Sequence, residues 1–275
     1  MKKNVSSAAF LCVFCTTIFF SCKKDDAVPA PTIVKQWTVA LSAKNENPVP
    51  AGRTETGTAL LMLMSDNSLT YTITVNGLAT GDAFTAAHLH VGDVITSGAV
   101  ILPLSPVFSG GVGTGTTTNL RTTLVDSLKD DNNEIYFNAH TTQVGSGLLR
   151  GQLNTNVEMA ADVALSGANE PTPVTTTTTG VATFRLTSAK KLYTKFVITN
   201  LETGDAMTAA HIHKGAVGVN GPVIVPIYGS AAEFGTVKII TITDDALFAS
   251  LKTDAIYANA HSTNKGGGIV RGQIR

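Results

Sequence analysis

The residues of this 275-residue chain whose type and spacing could do chemistry are its six histidines. His88 and His90 stand two apart, and His140 follows on a later segment. The pattern returns as His211, His213 and His261, and no histidine lies outside these two trios. Imidazole is a ligand for zinc and copper, and a His-x-His pair joined by one distant His is a common way to build a three-nitrogen site. The same trio also suits a hydrogen-bond network in which imidazoles, Asn, Gln and backbone groups pin loops together. Both readings remain open on the residues alone. If a cofactor binds, its chemistry is that of copper or zinc.

Each trio sits in longer strings that occur twice. Thr80-Gly-Asp-Ala-Phe-Thr-Ala-Ala-His-Leu-His90 returns as Thr203-Gly-Asp-Ala-Met-Thr-Ala-Ala-His-Ile-His213. Asn138-Ala-His-Thr and Leu149-Arg-Gly-Gln-Leu153 return as Asn259-Ala-His-Ser and Val270-Arg-Gly-Gln-Ile274. On a strand, residues i and i+2 share a face. His88 and His90 therefore point one way, with Ala87, Leu89 and Val91 toward the core. Tyr136, Asn138 and His140 alternate with Ile135, Phe137 and Ala139, and Arg150 and Gln152 with Leu149, Gly151 and Leu153. Asn138, Arg150 and Gln152, with Asn259, Arg271 and Gln273 in the second copy, complete a polar constellation built twice. Arg150 and Arg271 are expected to pair with Glu46 and Glu170, carboxylates that the copies also share. Gly81, Gly92, Gly204 and Gly215 read as turn residues needing permissive backbone angles. A Ser–His–Asp hydrolase is not indicated, since there is no nucleophile elbow and Ser97 has no equivalent in the second copy.

The elements that must position these residues are short strands. Gln36–Leu41, Gly57–Met64 and Ser68–Val75 alternate with period two, as do Ala161–Leu165, Gly180–Leu186 and Lys191–Ile198. Ala99–Leu104 and Pro222–Ile227 each carry a proline, which suggests a sheet edge. Gly110–Gly115 reads as a loop. One short helix per copy is expected, at Thr122–Lys129 and Thr243–Lys252, each opened by a Thr or Asp cap. Seven or eight strands and one helix per copy predict an all-β chain of two tandem Greek-key β-sandwich or flattened-barrel domains. The expected boundaries are 1–21 for a signal peptide, 22–34 for a tether, 35–154 for the first domain and 155–275 for the second. The short join at Thr155 and Asn156 implies domains packed side by side.

Lys2, Lys3 and an apolar run from Ala8 to Phe20 predict an export signal, too short for a membrane span. Phe19-Phe-Ser-Cys22 resembles a bacterial lipoprotein cleavage box with Cys22 as the acylated residue. Lipid on Cys22 would anchor the protein to a membrane. Lys23-Lys-Asp-Asp26 resembles the start of Bacteroidota-type lipoproteins, in some of which acidic residues direct export to the cell surface. The expected location is therefore the bacterial cell envelope, at the outer membrane and in some cases surface-exposed. The only other cysteines, Cys12 and Cys15, fall within the signal, which excludes disulfides and thiolate metal sites in the mature domains. Removing Lys2 and Lys3 from a balanced count leaves a charge of about −2 and no basic stripe, so nucleic acid is not an expected partner.

His211-Ile-His-Lys-Gly-Ala-Val-Gly-Val-Asn-Gly-Pro-Val223, the strings at Ile256 and Val270, and the opening Leu165-Ser-Gly-Ala-Asn-Glu-Pro171 resemble the CHRD domain. That domain is named from chordin, a secreted antagonist of bone morphogenetic proteins. The likeness spans both copies, departing where Asp93–Gly98 replaces the Asn-Gly-Pro turn. It implies an exported binding or interaction module, with an unidentified protein or glycan as partner, and leans away from an enzyme. In order of residues, Gly77–Gly81, His88, His90, His140 and Arg150 are also similar to copper,zinc superoxide dismutase. That resemblance would give the histidines copper-ligand roles and make Arg150 an anion guide, with His211, His213, His261 and Arg271 alike. The enzyme's bridging and zinc-loop histidines have no counterpart.

Overall fold

The computed structural model describes residues 29–275. The expected signal peptide, Cys22 and most of the tether lie outside the described residues. The first copy contains β1 (Ile33–Ser42), β2 (Thr56–Met64), β3 (Leu69–Asn76), β4 (Phe84–Val91), β5 (Val100–Leu104), β6 (Val107–Ser109) and β7 (Val112–Thr117). Helix α1 (Thr122–Lys129) follows, then β8 (Ile135–Thr141) and β9 (Leu149–Gln152). The second copy contains β10 (Val157–Ser166), β11 (Thr179–Thr187), β12 (Lys191–Thr199), β13 (Met207–Lys214), β14 (Val223–Tyr228) and β15 (Lys238–Thr241). Helix α2 (Asp245–Thr253), β16 (Ile256–Ser262) and β17 (Val270–Gln273) complete it.

Each copy is one antiparallel sheet. The first runs β5-β4-β8-β9-β1-β2-β3-β7-β6 and the second β14-β13-β16-β17-β10-β11-β12-β15. The joint between β9 and β1 is a single register pair, Ser42 with Arg150. At that thin joint the sheet divides into two halves that share a core. Leu89 and Phe137 from one half lie in the same cluster as Leu61 and Ile73 from the other, all four fully buried. Period-two alternation builds this core: along β2 the residues Gly57, Ala59, Leu61 and Leu63 turn inward while their neighbours face outward. Burying a side chain of Phe or Leu size contributes about 1.5–3 kcal/mol. The chain is therefore all-β with one short helix per copy, in flattened-barrel form. The proline-bearing strands β5 and β14 are sheet edges, as their composition implies.

Four local expectations need correction. Gly110–Gly115 is not a loop, because β6 and β7 form a hairpin turning at Gly110 and Gly111, which both have positive φ. Glycines at 113 and 115 are accommodated in the strand because the rings of Phe108 and Tyr71 cover them. Helix α1 has no side-chain cap, its N-cap position being Arg121, whereas Asp244 caps α2 by accepting from Ala246 N–H. Val91 is 49% exposed rather than in the core, since it closes β4 beyond the register shift at Leu89/His90. Gly215 lacks the positive φ of Gly81, Gly92 and Gly204, and its need is for space beside the Tyr257 ring.

Residues Pro31–Arg275 form one compact unit, so the copies are packed together. Arg185 of β11 is fully buried at their junction. Its guanidinium donates to Asp162 Oδ1 at 2.8 Å and to the Glu46 carbonyl at 2.6 Å. Beside it Val94 and Ile95 of the first copy cluster with Tyr193 and Val157 of the second. Removing one partner of a buried, hydrogen-bonded charge costs about 3–5 kcal/mol. Arg185→Ala is therefore expected to lower the unfolding free energy by about 3 kcal/mol in a urea titration. A loss no larger than that of an exposed substitution would contradict this account of the junction.

Candidate metal centre

The strand order settles whether the polar faces meet. β4, β8 and β9 are adjacent, so His88 lies opposite Asn138, and Asn138 opposite Arg150. His90 lies opposite Tyr136, and Tyr136 opposite Gln152. His140 pairs with Ala86, which sets its ring diagonally beside that of His88. All these side chains leave the outer face of the sheet, while Ala87, Leu89, Phe137, Ala139 and Leu149 fill the core side.

The three rings of each copy converge. One nitrogen from each of His88, His90 and His140 lies within 4.8 Å of the other two, and His211, His213 and His261 do the same. His88 Nδ1 is 3.0 Å from His140 Nε2, and the matching pair, His211 and His261, is 3.2 Å apart. Bonds of about 2.1 Å meeting at about 90–105° would separate two ligand nitrogens by about 3.0–3.3 Å.

Backbone carbonyls fix which nitrogen faces the centre. His90 Nδ1 is 3.0 Å from the Gly98 carbonyl, and His140 Nδ1 is 3.0 Å from the Gly145 carbonyl. A carbonyl only accepts, so each Nδ1 carries the proton and each Nε2 presents a lone pair. His213 with Gly221 and His261 with Gly266 repeat this at 3.0 Å. The Nε2 atoms of His90 and His213 are buried and have no hydrogen-bond partner among the described residues. No imidazole bonds to an Asn or Gln side chain, so the purely structural network takes a different form from the one the residue types suggest.

The remaining motif residues hold the carbonyl-bearing loops. Arg150 does not form an ion pair with Glu46. Its guanidinium donates to the Asp93 carbonyl and, at 2.9 Å, to the Thr96 carbonyl, and it stacks 3.6 Å from the centre of the Tyr136 ring. Gln152 donates to the Gly92 carbonyl at 3.0 Å. Together they tie down residues 92–98, the loop that ends at Gly98. Arg271 and Gln273 fasten Gly215, Ala216 and Val219 in the same way. With Arg150 and Arg271 2% and 1% exposed and committed to carbonyls, neither is free to guide an anion. Glu46 instead accepts from Asn138 Nδ2 at 2.6 Å, and Glu170 from Asn259 Nδ2 at 2.5 Å.

Two roles were not visible in the spacing. Tyr136 lies on β8 between its neighbours, stacked on His90 at 4.8 Å between ring centres, and its hydroxyl accepts from Gly98 N–H at 3.2 Å. Asp82 accepts from both hydroxyls of Thr141 and Thr142 and from Gln143 N–H, which anchors the loop that carries Gly145. Burial works to raise its pKa, but these bonds and Arg53 outweigh it and hold the carboxyl well below its usual range. Asp205 anchors the second loop through Thr263 and Asn264. Its signal is the Thr-Gly-Asp that opens the histidine-bearing string of each copy. Gly98 and Gly221 leave no room for a side chain, since a Cβ there would strike the carbonyl oxygen of Val91 or Lys214.

Electrostatics favour neutral rings. Burial first, and then the neighbouring imidazoles, depress the pKa of His88 and His211. Burial also depresses His90, His213 and His261, against the raising effect of their carbonyl bonds. Neutral imidazole is the form that binds metal.

Compared with known families, the chain matches the CHRD domain twice, over residues 37–153 and 161–274. It belongs to the CHRD family. The matched segments span both sheets and every histidine of the two trios. No curated protein and no solved structure matches the chain.

The carboxyl beside the first centre titrates unusually. Burial pushes Glu46 up to about 7, against the lowering influence of Arg150, Asn138 and Arg185. A carboxyl whose folded pKa is raised binds its proton more tightly when folded. Its contribution to stability is therefore full below about 4.5 and is lost as the pH rises through about 7. Glu46→Gln keeps the acceptor for Asn138 and should flatten that pH 4.5–7 loss in thermal unfolding. An unchanged slope in the variant would contradict the assignment.

Proposed function

We propose that this CHRD-domain protein is an exported, non-catalytic binding module whose ligands include a transition-metal ion in each domain, held by His88, His90 and His140 and by His211, His213 and His261. The observation that carries this reading is the buried Nε2 of His90 and of His213, without a hydrogen-bond partner among the described residues, in a trio whose three rings each bring one nitrogen within 4.8 Å of the other two. An unpaired buried acceptor costs about 1–3 kcal/mol, a penalty that a metal bond removes. Two of the three rings in each trio also give their other nitrogen to a carbonyl, the arrangement by which proteins orient metal-bound imidazole.

Three neutral nitrogen donors without a thiolate favour copper or zinc and leave a coordination position for a further ligand. Among the described residues, no carboxylate joins either trio. The module is placed at the bacterial envelope, tethered to the outer membrane through lipid on Cys22. That placement rests on the N-terminal residue pattern alone, and a protein or glycan partner fits it.

The test is elemental analysis and titration of the full mature chain with Cu²⁺ and Zn²⁺. Saturation near two equivalents is expected, one for each trio. His90→Ala should remove one equivalent and His90→Ala with His213→Ala both, while the metal-free variants stay folded. Ion at about 100 times its dissociation constant should add about 2.7 kcal/mol per site to stability. Failure of the parent chain to retain or be stabilised by either ion would overturn the proposal.

A further inference from the structure

The repeat supplies an internal comparison between one occupied surface and one open surface of the same design. In the first domain, the Glu46 carbonyl and the Val49 N–H bond to residues of the second domain, which also packs against Val94 and Ile95. Val94 and Ile95 are 2% and 4% exposed. The equivalent loop of the second domain follows from the shared His-x-His, which aligns Val94 with Val217 and Ile95 with Gly218. There Val217 is 75% exposed. Asn45, buried in the first domain, has its counterpart Asn169 exposed. Between the two open segments lies a cleft of about 430 Å³ lined by Asn169, Glu170, Pro171, Val217 and Arg271.

What fills the corresponding place in the first domain is known from the junction. Arg185 donates to the carbonyl of Glu46, and Tyr193 covers Val94 and Ile95. Both side chains project from the outer face of a sheet, and Asp162 holds the arginine from the next strand. The open cleft keeps the Glu170 carbonyl and the valine. The further bond from Val49 N–H to Asp162 falls where the copies differ, Asn47-Pro-Val-Pro50 in the first and Pro171-Thr-Pro173 in the second. The arginine and the aromatic ring are therefore the transferable parts of the contact, and the carboxylate serves only to orient the arginine.

A second copy of this chain does not supply them. The strand registers align Asp162, Arg185 and Tyr193 with Thr38, Met62 and Thr70 of the first domain, which carry neither charge nor ring. We infer that the face formed by residues 168–173 and 216–220 is a docking site for another protein that presents an arginine beside an aromatic ring on an open β-sheet face. The contact is heterologous, so a partner built like the second domain would extend the row by one unit. This inference is independent of metal binding.

The donor face can be built into the chain itself. Thr38→Asp with Met62→Arg and Thr70→Tyr places the Asp–Arg–Tyr group on the first domain, and Val217→Asp in the same chain blocks its own cleft. Mixed with the parent chain, this donor should give a concentration-dependent 1:1 complex in sedimentation velocity. Mixed with a Val217→Asp chain, whose cleft is closed, it should associate at least about tenfold more weakly. A second donor carrying Met62→Arg alone, with Val217→Asp, provides the comparison if the triple substitution fails to fold, and should give the same ranking more weakly. Folded donors that remain monomeric with the parent, or that bind parent and blocked chains equally, would overturn the inference.

Discussion

An imidazole can aim a lone pair at a shared point only if its other nitrogen has somewhere to place a proton. That constraint organises the outer face of each sheet. The Gly98 and Gly145 carbonyls take the Nδ1 protons of His90 and His140, and Gly221 and Gly266 do so in the second domain. Because the carbonyls belong to loops, the loops themselves must be immobilised. Arg150 and Gln152 hold one, Asp82 holds the other, and the Tyr136 ring packs against His90 and Arg150 alike. The Arg-Gly-Gln string is thus part of the histidine site, although neither side chain touches an imidazole. Its middle glycine faces inward, where a Cβ would meet the Ala40 carbonyl at 2.3 Å.

The two domains share this physics and differ in their surroundings. Burial raises the pKa of Glu46, at the junction, to about 7 and raises that of Glu170 as well, the two residues being 6% and 8% exposed. The tie between Arg185 and the Glu46 carbonyl links that junction to the polar face of the first domain, since Glu46 also holds Asn138. The second domain has no such cover at Glu170, and its 216–220 loop is solvent-exposed. One design repeated in tandem therefore yields one satisfied flank and one open flank.

Much of this was legible in the residues. The His-x-His spacing, the period-two alternation around Asn138 and Arg150, and the doubled strings specify the faces of β4, β8 and β9. The proline-bearing edges and α1 at Thr122–Lys129 followed from local rules. Pairwise order across the sheet was not legible, because β4, β8 and β9 come together through long-range pairing. Charge alone likewise pairs Arg150 with Glu46, a match that the loop carbonyls outcompete. Backbone acceptors leave no trace in residue type. The β6–β7 hairpin was hidden by glycines whose role depends on the aromatic rings of Phe108 and Tyr71 on neighbouring strands.

The central claim concerns where an ion would sit, so anomalous diffraction from crystals of the mature chain equilibrated with copper or zinc addresses it most directly. The account predicts one peak in each domain, about 2.0–2.1 Å from a nitrogen of all three histidines, with the Nδ1 contacts to Gly98 and Gly145 retained. Peaks elsewhere on the surface, or none at either trio in fully equilibrated crystals, would contradict it and leave the imidazoles as loop-pinning groups alone.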